Sequence, residues 1–301
     1  MQNKLLGILI ALIAIPLIAL SGEPAGPTVH VEDLTHSIPA RSAQDLTGSQ
    51  FMRYISKMNP QEREQAIEDE ILKGNVPEFL RKLVPVELHC DLPSCRNLTA
   101  TIFVAPDYLA IGSNDDFMRI PMNLHTATAV ADRFGFILPT KKMVDAIYLQ
   151  SRFHLVPQPL PAGPEMRSTA YYWNHNRMID TQAHALGVQL GDLLSGHKKD
   201  VVMTNRLNAN IGRIAIYGWH RGPGQPIQPL STVHGANYAD YSHGIRLVSD
   251  MALINGRVSS VYEILHDSSM AKVLSDEGPI TLNLELLASP QVSMPTVTSH
   301  N

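Results

Sequence analysis

The chain has 301 residues, of which 24 are Lys or Arg, 28 are Asp or Glu and 13 are His, and its formal net charge is −4. This charge excludes the strongly basic surface of a nucleic-acid-binding protein, and the 44% hydrophobic content excludes global disorder. Two cysteines are too few for a disulfide-dense small fold or an all-cysteine zinc site.

The first 21 residues have the pattern of a secretory signal peptide. Lys4 precedes an apolar run from Leu5 to Leu20, and small and helix-breaking residues follow at once. The run is shorter than the ~20 residues that a membrane-spanning helix needs. We therefore expect a secreted or periplasmic protein, with an uncleaved membrane anchor as the alternative. Residues 22–47 are polar and Pro-rich, which indicates a linker.

Residues 48–156 are predicted to be mostly helical, with one short hairpin. Helical spacing and terminal signals predict helices at 51–58, 60–74, 78–83, 124–134 and 140–151. Alternating residues predict a strand over 98–104 and two short strands around the turn at 113–116. Asp115 and Asp116 fit that turn better than a cation site, because Asp is a common turn former.

Cys90 and Cys95 are separated by four residues. In an exported protein such a pair most simply forms a disulfide. The alternative is a pair of metal ligands, although this spacing differs from the usual two-residue knuckle.

A run of four prolines between Pro157 and Pro164 marks the clearest boundary in the chain. Residues 165–287 are predicted to form a β-rich catalytic region, and residues 288–301 a tail. Within this region we expect strands at 201–203, 214–220, 245–248 and 280–287. The predicted fold class is α+β, with a helical N-terminal half packed on a β-rich C-terminal half whose sheet is sandwich- or barrel-like.

Histidines gather in this second region at the ends of predicted strands, with glycines beside them. Loops on a rigid scaffold carry functional groups, and glycine allows close backbone approach. The candidate catalytic residues are His220, His234, His243, Asp240, Tyr241 and Arg246.

Three chemistries fit these residues. The first is a metal site, with zinc as the candidate ion and His220, His234 and His243 as ligands. The second is metal-free acid–base catalysis by a His with a Tyr or Arg. The third is nucleophilic attack by Ser242 or Ser231; adjacent residues of one strand face opposite ways, which disfavours the pair of Ser242 with His243.

The segments VHG at 233–235 and SHGIRL at 242–247 resemble the catalytic motif of the L,D-transpeptidases. In that family an HG segment and an SHGCxR segment lie on a β-sandwich-like domain, and two histidines flank a Cys nucleophile. The resemblance implies catalytic roles for His234 and His243 and substrate holding by Arg246. Ile245 stands where the family has its Cys, so the family's acyl-transfer mechanism does not carry over.

Two further groups are candidates for substrate binding. One is Trp219 with the GHKKD segment, in which Lys198 or Lys199 binds an anionic group and Asp200 orients a histidine. The alternatives are a core tryptophan and an exposed turn. The other group is Asn174 and His175, whose side chains are suited to hydrogen bonding with a saccharide or peptide.

These observations favour an exported hydrolase acting on a cell-envelope or extracellular polymer, with peptidoglycan or another polysaccharide first. A polysaccharide lyase using His and Tyr and a non-catalytic glycan-binding protein are the alternatives. A nucleic-acid partner is not expected, and a membrane contact is expected only through the N-terminal segment.

Overall fold

A computed structural model describes residues 38–90, 92–93 and 95–282. It has an α+β fold, as predicted, with most helices in the N-terminal half and most strands in the C-terminal half. The helices are α1 (Gly48–Ile55), α2 (Pro60–Leu72), α3 (Leu124–Arg133), α4 (Lys141–Gln150), α5 (Thr169–Ala185) and α6 (Val261–His266). The strands are β1 (Val84–His89), β2 (Thr99–Val104), β3 (Ala110–Gly112), β4 (Phe117–Arg119), β5 (Phe136–Ile137), β6 (Phe153–His154), β7 (Leu194–Ser195), β8 (Lys199–Val201), β9 (Ile216–His220), β10 (Pro226–Ser231), β11 (His243–Gly244), β12 (Val248–Ile254) and β13 (Arg257–Ser260).

Four of the five helices predicted for the N-terminal region are confirmed as α1 to α4. Helix α2 shows why the ends of a helix can be predicted from sequence. The Asn59 side chain accepts hydrogen bonds from the first-turn backbone, and the Glu62 side chain accepts from the Asn59 backbone in return. This capping box satisfies backbone N–H groups that have no partner inside the helix. Ile67 and Ile71 face the core. Residues 78–83 form only a short 3-10 turn at Glu78–Arg81.

Two sheets hold the molecule together. The first has the order β1-β2-β12-β13, with β5 also paired to β12. The second has the order β10-β9-β8-β11. The first sheet therefore mixes strands from both halves of the chain, and β6 pairs with β7 across the Pro-rich segment. Helix α4 packs against β1 of one sheet and β9 of the other.

The segment between β11 and β12 is not the strand predicted at residues 245–248. Its carbonyls instead accept from the chain that follows β2: Ile245 O from Leu109 N at 2.8 Å, and Leu247 O from Ala105 N at 2.9 Å. The extended ladder resumes at Val248. This short connection carries the chain from the second sheet into the first.

Helix α5 differs from the β-rich character predicted for this region. Its buried residues are Tyr172, His175, Asn176 and Ile179, which follow a helical period. Two of these four are polar, so the buried face lacks the apolar stripe by which an amphipathic helix is recognised.

A buried ion network ties the β3–β4 hairpin to α5 and to the loop before β8. The Asp107 carboxylate accepts from Arg119 Nε at 2.7 Å and lies 3.0 Å from His197 Nε2. Arg119 also donates to Asp180 at 2.6 Å and to Asn176 at 3.2 Å. Although burial alone would raise it, the pKa of Asp107 is lowered far below its ordinary value by Arg119 and His197.

The predicted disulfide between Cys90 and Cys95 is present, as expected for proteins that fold in an oxidising compartment. Among the described residues, no helix combines the length and apolarity needed to cross a bilayer.

The C-terminal part of the predicted linker lies on the domain. Ile38 O accepts from Arg81 at 2.7 Å, and Arg41 donates to Asn75 at 2.9 Å. Residues 280–282, the described start of the strand predicted at 280–287, are not in a strand. The predicted signal peptide at 1–21, linker residues 22–37, the strand residues 283–287 and the tail at 288–301 lie outside the described residues.

We expect Arg119→Met to lower the free energy of unfolding by about 3–5 kcal/mol, because it removes the guanidinium partner of the buried Asp107 carboxylate. Arg152→Met is the matched control, since its side chain is 68% exposed and pairs with Asp192 at the surface; it should change stability by less than about 1 kcal/mol. Urea unfolding of both variants measures the difference. Equal losses for the two variants would contradict a structural role for the network.

Candidate functional site

The parallel pairing of β11 with β8 places the residues of the site. His243 lies opposite Lys199, and Gly244 lies opposite Asp200. On its other side β8 pairs antiparallel with β9, where Lys199 faces Gly218, next to Trp219. We call Lys199, Trp219, His234, Tyr238, Asp240 and His243 the His243 cluster.

A close packing contact fixes this register. A Cβ atom at Gly244 would lie 2.5 Å from the Tyr108 ring, so no larger residue fits without a shift. The Tyr108 hydroxyl donates to Asp200 Oδ2 at 2.9 Å. Asp200 is buried, and burial raises its pKa to about 6. Its hydroxyl partner and its burial assign Asp200 to positioning β8 rather than to contact with substrate.

Asp240 and His243 form a buried pair. Asp240 accepts from Ser242 N at 2.8 Å, from Ser242 Oγ at 2.5 Å and from the Tyr238 hydroxyl at 3.1 Å. The His243 Nε2 atom lies 3.9 Å from Asp240 Oδ2, and neither ring nitrogen has a hydrogen-bond partner among the described residues. Ser242 Oγ is committed to Asp240, so it is not placed as a nucleophile activated by His243.

Burial sets the protonation of this pair. The pKa of His243 is lowered by burial and by the nearby Lys199 and His234, against the opposing pull of Asp240. Burial alone would raise the pKa of Asp240, but His243 and the hydrogen bonds from Ser242 outweigh it and lower that pKa. At neutral pH the pair is therefore a carboxylate beside a neutral imidazole.

His234 and Tyr238 bring the cluster to the surface. Both are half-buried, and their rings stack at 4.1 Å between centroids with an 8° interplanar angle. The His234 ring centroid lies 6.5 Å from that of His243. The pKa of His234 is lowered by partial burial and by Lys199 and Arg213, against the effect of Asp240. Its imidazole is a neutral base at pH 7.

Lys199 lies over a strained tryptophan. Its Nζ atom is 5.2 Å from the centroid of the Trp219 ring. Trp219 has φ 56°, a left-handed conformation that costs a bulky residue about 1–3 kcal/mol and marks functional segments. Burial lowers the pKa of Lys199. Trp219 itself is buried, so its indole supports Lys199 and does not present an open platform to a sugar.

His220 lies in a different environment. Its Nε2 atom is 3.1 Å from Asp145 Oδ1, and its ring stacks on Tyr148 at 4.6 Å. Tyr217 donates to the same carboxylate at 2.7 Å. Asp145 and Tyr148 both belong to α4, so His220 fastens this helix to β9.

The three-histidine metal site predicted from the sequence is not assembled in the part of the chain that the structure describes. No group of three or more His, Cys, Asp or Glu side chains there is placed to hold a metal ion. His220 is bound to Asp145, and only His234 and His243 belong to the same cluster.

Two other candidates have structural contacts. The Tyr241 hydroxyl accepts from Leu160 N at 2.8 Å and so anchors the Pro-rich segment. The Arg246 guanidinium donates to Ala105 O at 2.9 Å and to Leu194 O at 2.7 Å. We assign both residues to holding the backbone around the site.

The remaining candidates surround the cluster. Lys198 is buried and donates to Tyr241 O at 2.7 Å, and burial lowers its pKa to about 7. His175 lies on α5, and its ring is roughly perpendicular to those of Trp219 and Tyr241. Asn174 is exposed on the same helix, and no described contact joins it to the cluster.

Two arginines at the site were not among the sequence candidates. The Arg167 guanidinium lies 5.3 Å from the centroid of the Tyr238 ring. Arg213 donates to Val233 O at 2.6 Å, beside His234. Neither stands in a motif, so no sequence signal distinguishes them from other surface arginines.

Comparison with known proteins found no family model, no curated protein and no solved structure that matches the chain. The resemblance to the L,D-transpeptidases stays a prediction. Ile245, at the position of that family's Cys, is fully buried.

We expect Gly244→Ala to lower the free energy of unfolding by about 1–3 kcal/mol, because the added methyl overlaps the Tyr108 ring. Gly222→Ala is the control, since a Cβ there has no neighbour closer than 3.6 Å. Urea unfolding measures both. A Gly244→Ala variant as stable as the control would contradict the claim that packing of Gly244 against Tyr108 fixes the pairing of β11 with β8.

Proposed function

We propose that the protein is an exported hydrolase that cleaves an extracytoplasmic polymer at the His243 cluster, with peptidoglycan and polysaccharides as the first substrates to test. The observation that carries the proposal is the combination of a half-exposed neutral imidazole, His234, with a neighbouring cation, Lys199, and the buried pair of Asp240 and His243. The signal-peptide pattern and the disulfide support export.

His234 is the general base. Stacking on Tyr238 fixes its ring plane, and its lowered pKa leaves a nitrogen free to accept a proton at neutral pH. It takes a proton from a water molecule as the water oxygen bonds to the electrophilic carbon of the polymer.

Lys199 stabilises the negative charge that develops on the substrate and protonates the leaving group. Its pKa, lowered by burial, makes it a better proton donor than an ordinary lysine. The bond between the carbon and the leaving group breaks as that proton is transferred. Transfer of the proton from His234 to Lys199 through solvent restores the starting state.

Asp240 and His243 act as positioning residues. Asp240 holds the Tyr238 hydroxyl, and the Tyr238 ring holds His234. Because the two imidazoles lie close together, protonation of one disfavours protonation of the other. Because His243 is neutral, it does not oppose the protonation of His234, and His234 is the imidazole that accepts the proton.

A second candidate is elimination from a uronate polymer. The observation that favours it is the presence of Lys199, Arg167 and Arg213 around a neutral imidazole, since cations that neutralise a carboxylate acidify the adjacent C–H bond. His234 would then remove this proton as the neighbouring C–O bond breaks and the departing oxygen takes a proton from water. The product contains a carbon–carbon double bond.

The test is product release from purified peptidoglycan and from neutral and acidic polysaccharides. We expect soluble products with the native protein and a loss of at least about 100-fold with His234→Ala, the usual size of a general-base contribution. His184→Ala is the control, because His184 is exposed at the end of α5.

Saturated products lost in His234→Ala support hydrolysis, whereas products with ultraviolet absorbance from a new double bond support elimination and overturn hydrolysis. Binding without turnover would make the protein a glycan-binding protein and overturn both. Equal turnover by His234→Ala and His184→Ala would overturn the assignment of the site, as would the absence of product from every polymer.

A further inference from the structure

We infer that the polymer bound at the His243 cluster carries carboxylate groups, and that Lys199, Arg167 and Arg213 bind them. The position of these carboxylates beside a bond to be cleaved rests on the proposed function. The preference for negatively charged ligands is a binding property and does not depend on the proposed function.

The three cations come from three different elements. Lys199 is on β8, Arg167 ends the turn before α5, and Arg213 precedes β9. Each lies beside a different ring of the cluster: Lys199 over Trp219, Arg167 over Tyr238, and Arg213 next to His234, whose backbone neighbour it holds.

None of the three forms a direct ion pair in the part of the chain that the structure describes: no salt bridge there joins Lys199, Arg167 or Arg213 to a carboxylate. Asp240 is the carboxylate of the cluster itself, and its oxygens are occupied by Ser242 and Tyr238. Glu165, in the same turn as Arg167, is exposed to solvent.

The three cations act on the rings of the cluster, although Asp240 acts the other way and more strongly. Lys199 and Arg213 lower the pKa of His234 against the effect of Asp240, and Arg167 opposes the rise in the pKa of Tyr238 that burial and Asp240 cause. Three cations surround the single carboxylate of the cluster, so the site carries an excess of positive charge in a chain whose formal net charge is −4. Such a local field attracts anionic ligands and repels cationic ones.

The arrangement fits singly charged groups repeated along a polymer. Each cation lies beside a different ring of the cluster. We therefore expect each cation to bind a different anionic group of the polymer. A guanidinium presents a planar fork that matches a carboxylate with two hydrogen bonds. Arg167 and Arg213 are exposed, and the Arg213 N–H groups that do not bond Val233 O are available to such groups. The half-buried Lys199 meets the carboxylate nearest to His234.

The test is equilibrium binding to polymers matched except in charge. One pair is polygalacturonate and its methyl ester, and the other is peptidoglycan before and after amidation of its carboxyl groups. We expect the native protein to bind the charged member at least about 10-fold more tightly at low salt. The difference should shrink as ionic strength rises towards about 1 M, where the screening length falls to about 3 Å.

The double variant Arg167→Gln with Arg213→Gln should lose most of this preference, and Arg257→Gln, an exposed arginine on β13 of the other sheet, should keep it. Selectivity for only one of the two charged polymers identifies the source of the carboxylates. Equal affinity within both pairs, or a preference that the double variant retains, would overturn the inference.

These results are separable from those on turnover. Charge-selective binding without product release would overturn the proposed hydrolysis and leave this inference standing. Release of product from neutral polymers in preference to charged ones would overturn this inference and leave the proposed hydrolysis standing.

Discussion

The short parallel pairing of β11 with β8 is the constraint on which the site depends. It places His243 against Lys199, and through the tight turn before β11 it brings Asp240 and Tyr238 to the same place. Tyr108 packs against both strands of this pairing. Its ring leaves no room for a side chain at Gly244, and its hydroxyl donates a hydrogen bond to Asp200. A packing contact in the core thus determines the geometry of polar groups that reach the surface.

Two buried polar assemblies in this protein have opposite electrostatic designs. Around Asp107, the carboxylates and cations neutralise one another, so breaking the network leaves an unpaired buried charge and costs stability. Around His243, a single ionised carboxylate is shared by a phenol, a serine and an imidazole with two unpartnered nitrogens. Unsatisfied buried polar atoms are uncommon: His197 in the first assembly has one such nitrogen, whereas both nitrogens of His243 are unpartnered and its cluster reaches the surface through His234. We therefore assign the first assembly to the scaffold and the second to function.

Sequence reasoning was most successful where local signals act alone. The capped helices, the strand Thr99–Val104, the hairpin and the disulfide all follow from neighbouring residues. It also selected His234, His243, Asp240 and Lys199, which the structure brings into one cluster, because they lie close together along the chain or at the starts and ends of strands. It failed where tertiary contacts decide: the polar buried face of α5, the partner of His220 on α4, and the structural bonds of Tyr241 and Arg246. Arg167 and Arg213 reach the site only through folding.

The central claim is that burial keeps His243 neutral in spite of the neighbouring Asp240 carboxylate and leaves His234 as the proton acceptor. Titration of the histidine ring nitrogens by NMR in the native protein and in Asp240→Asn tests it most directly. We predict that His234 and His243 both titrate below the ordinary value of about 6.5. Loss of the Asp240 charge, which favours the imidazolium, should lower the pKa of His243 further. A His243 that titrates at or above 6.5, or that does not respond to Asp240→Asn, would contradict the account.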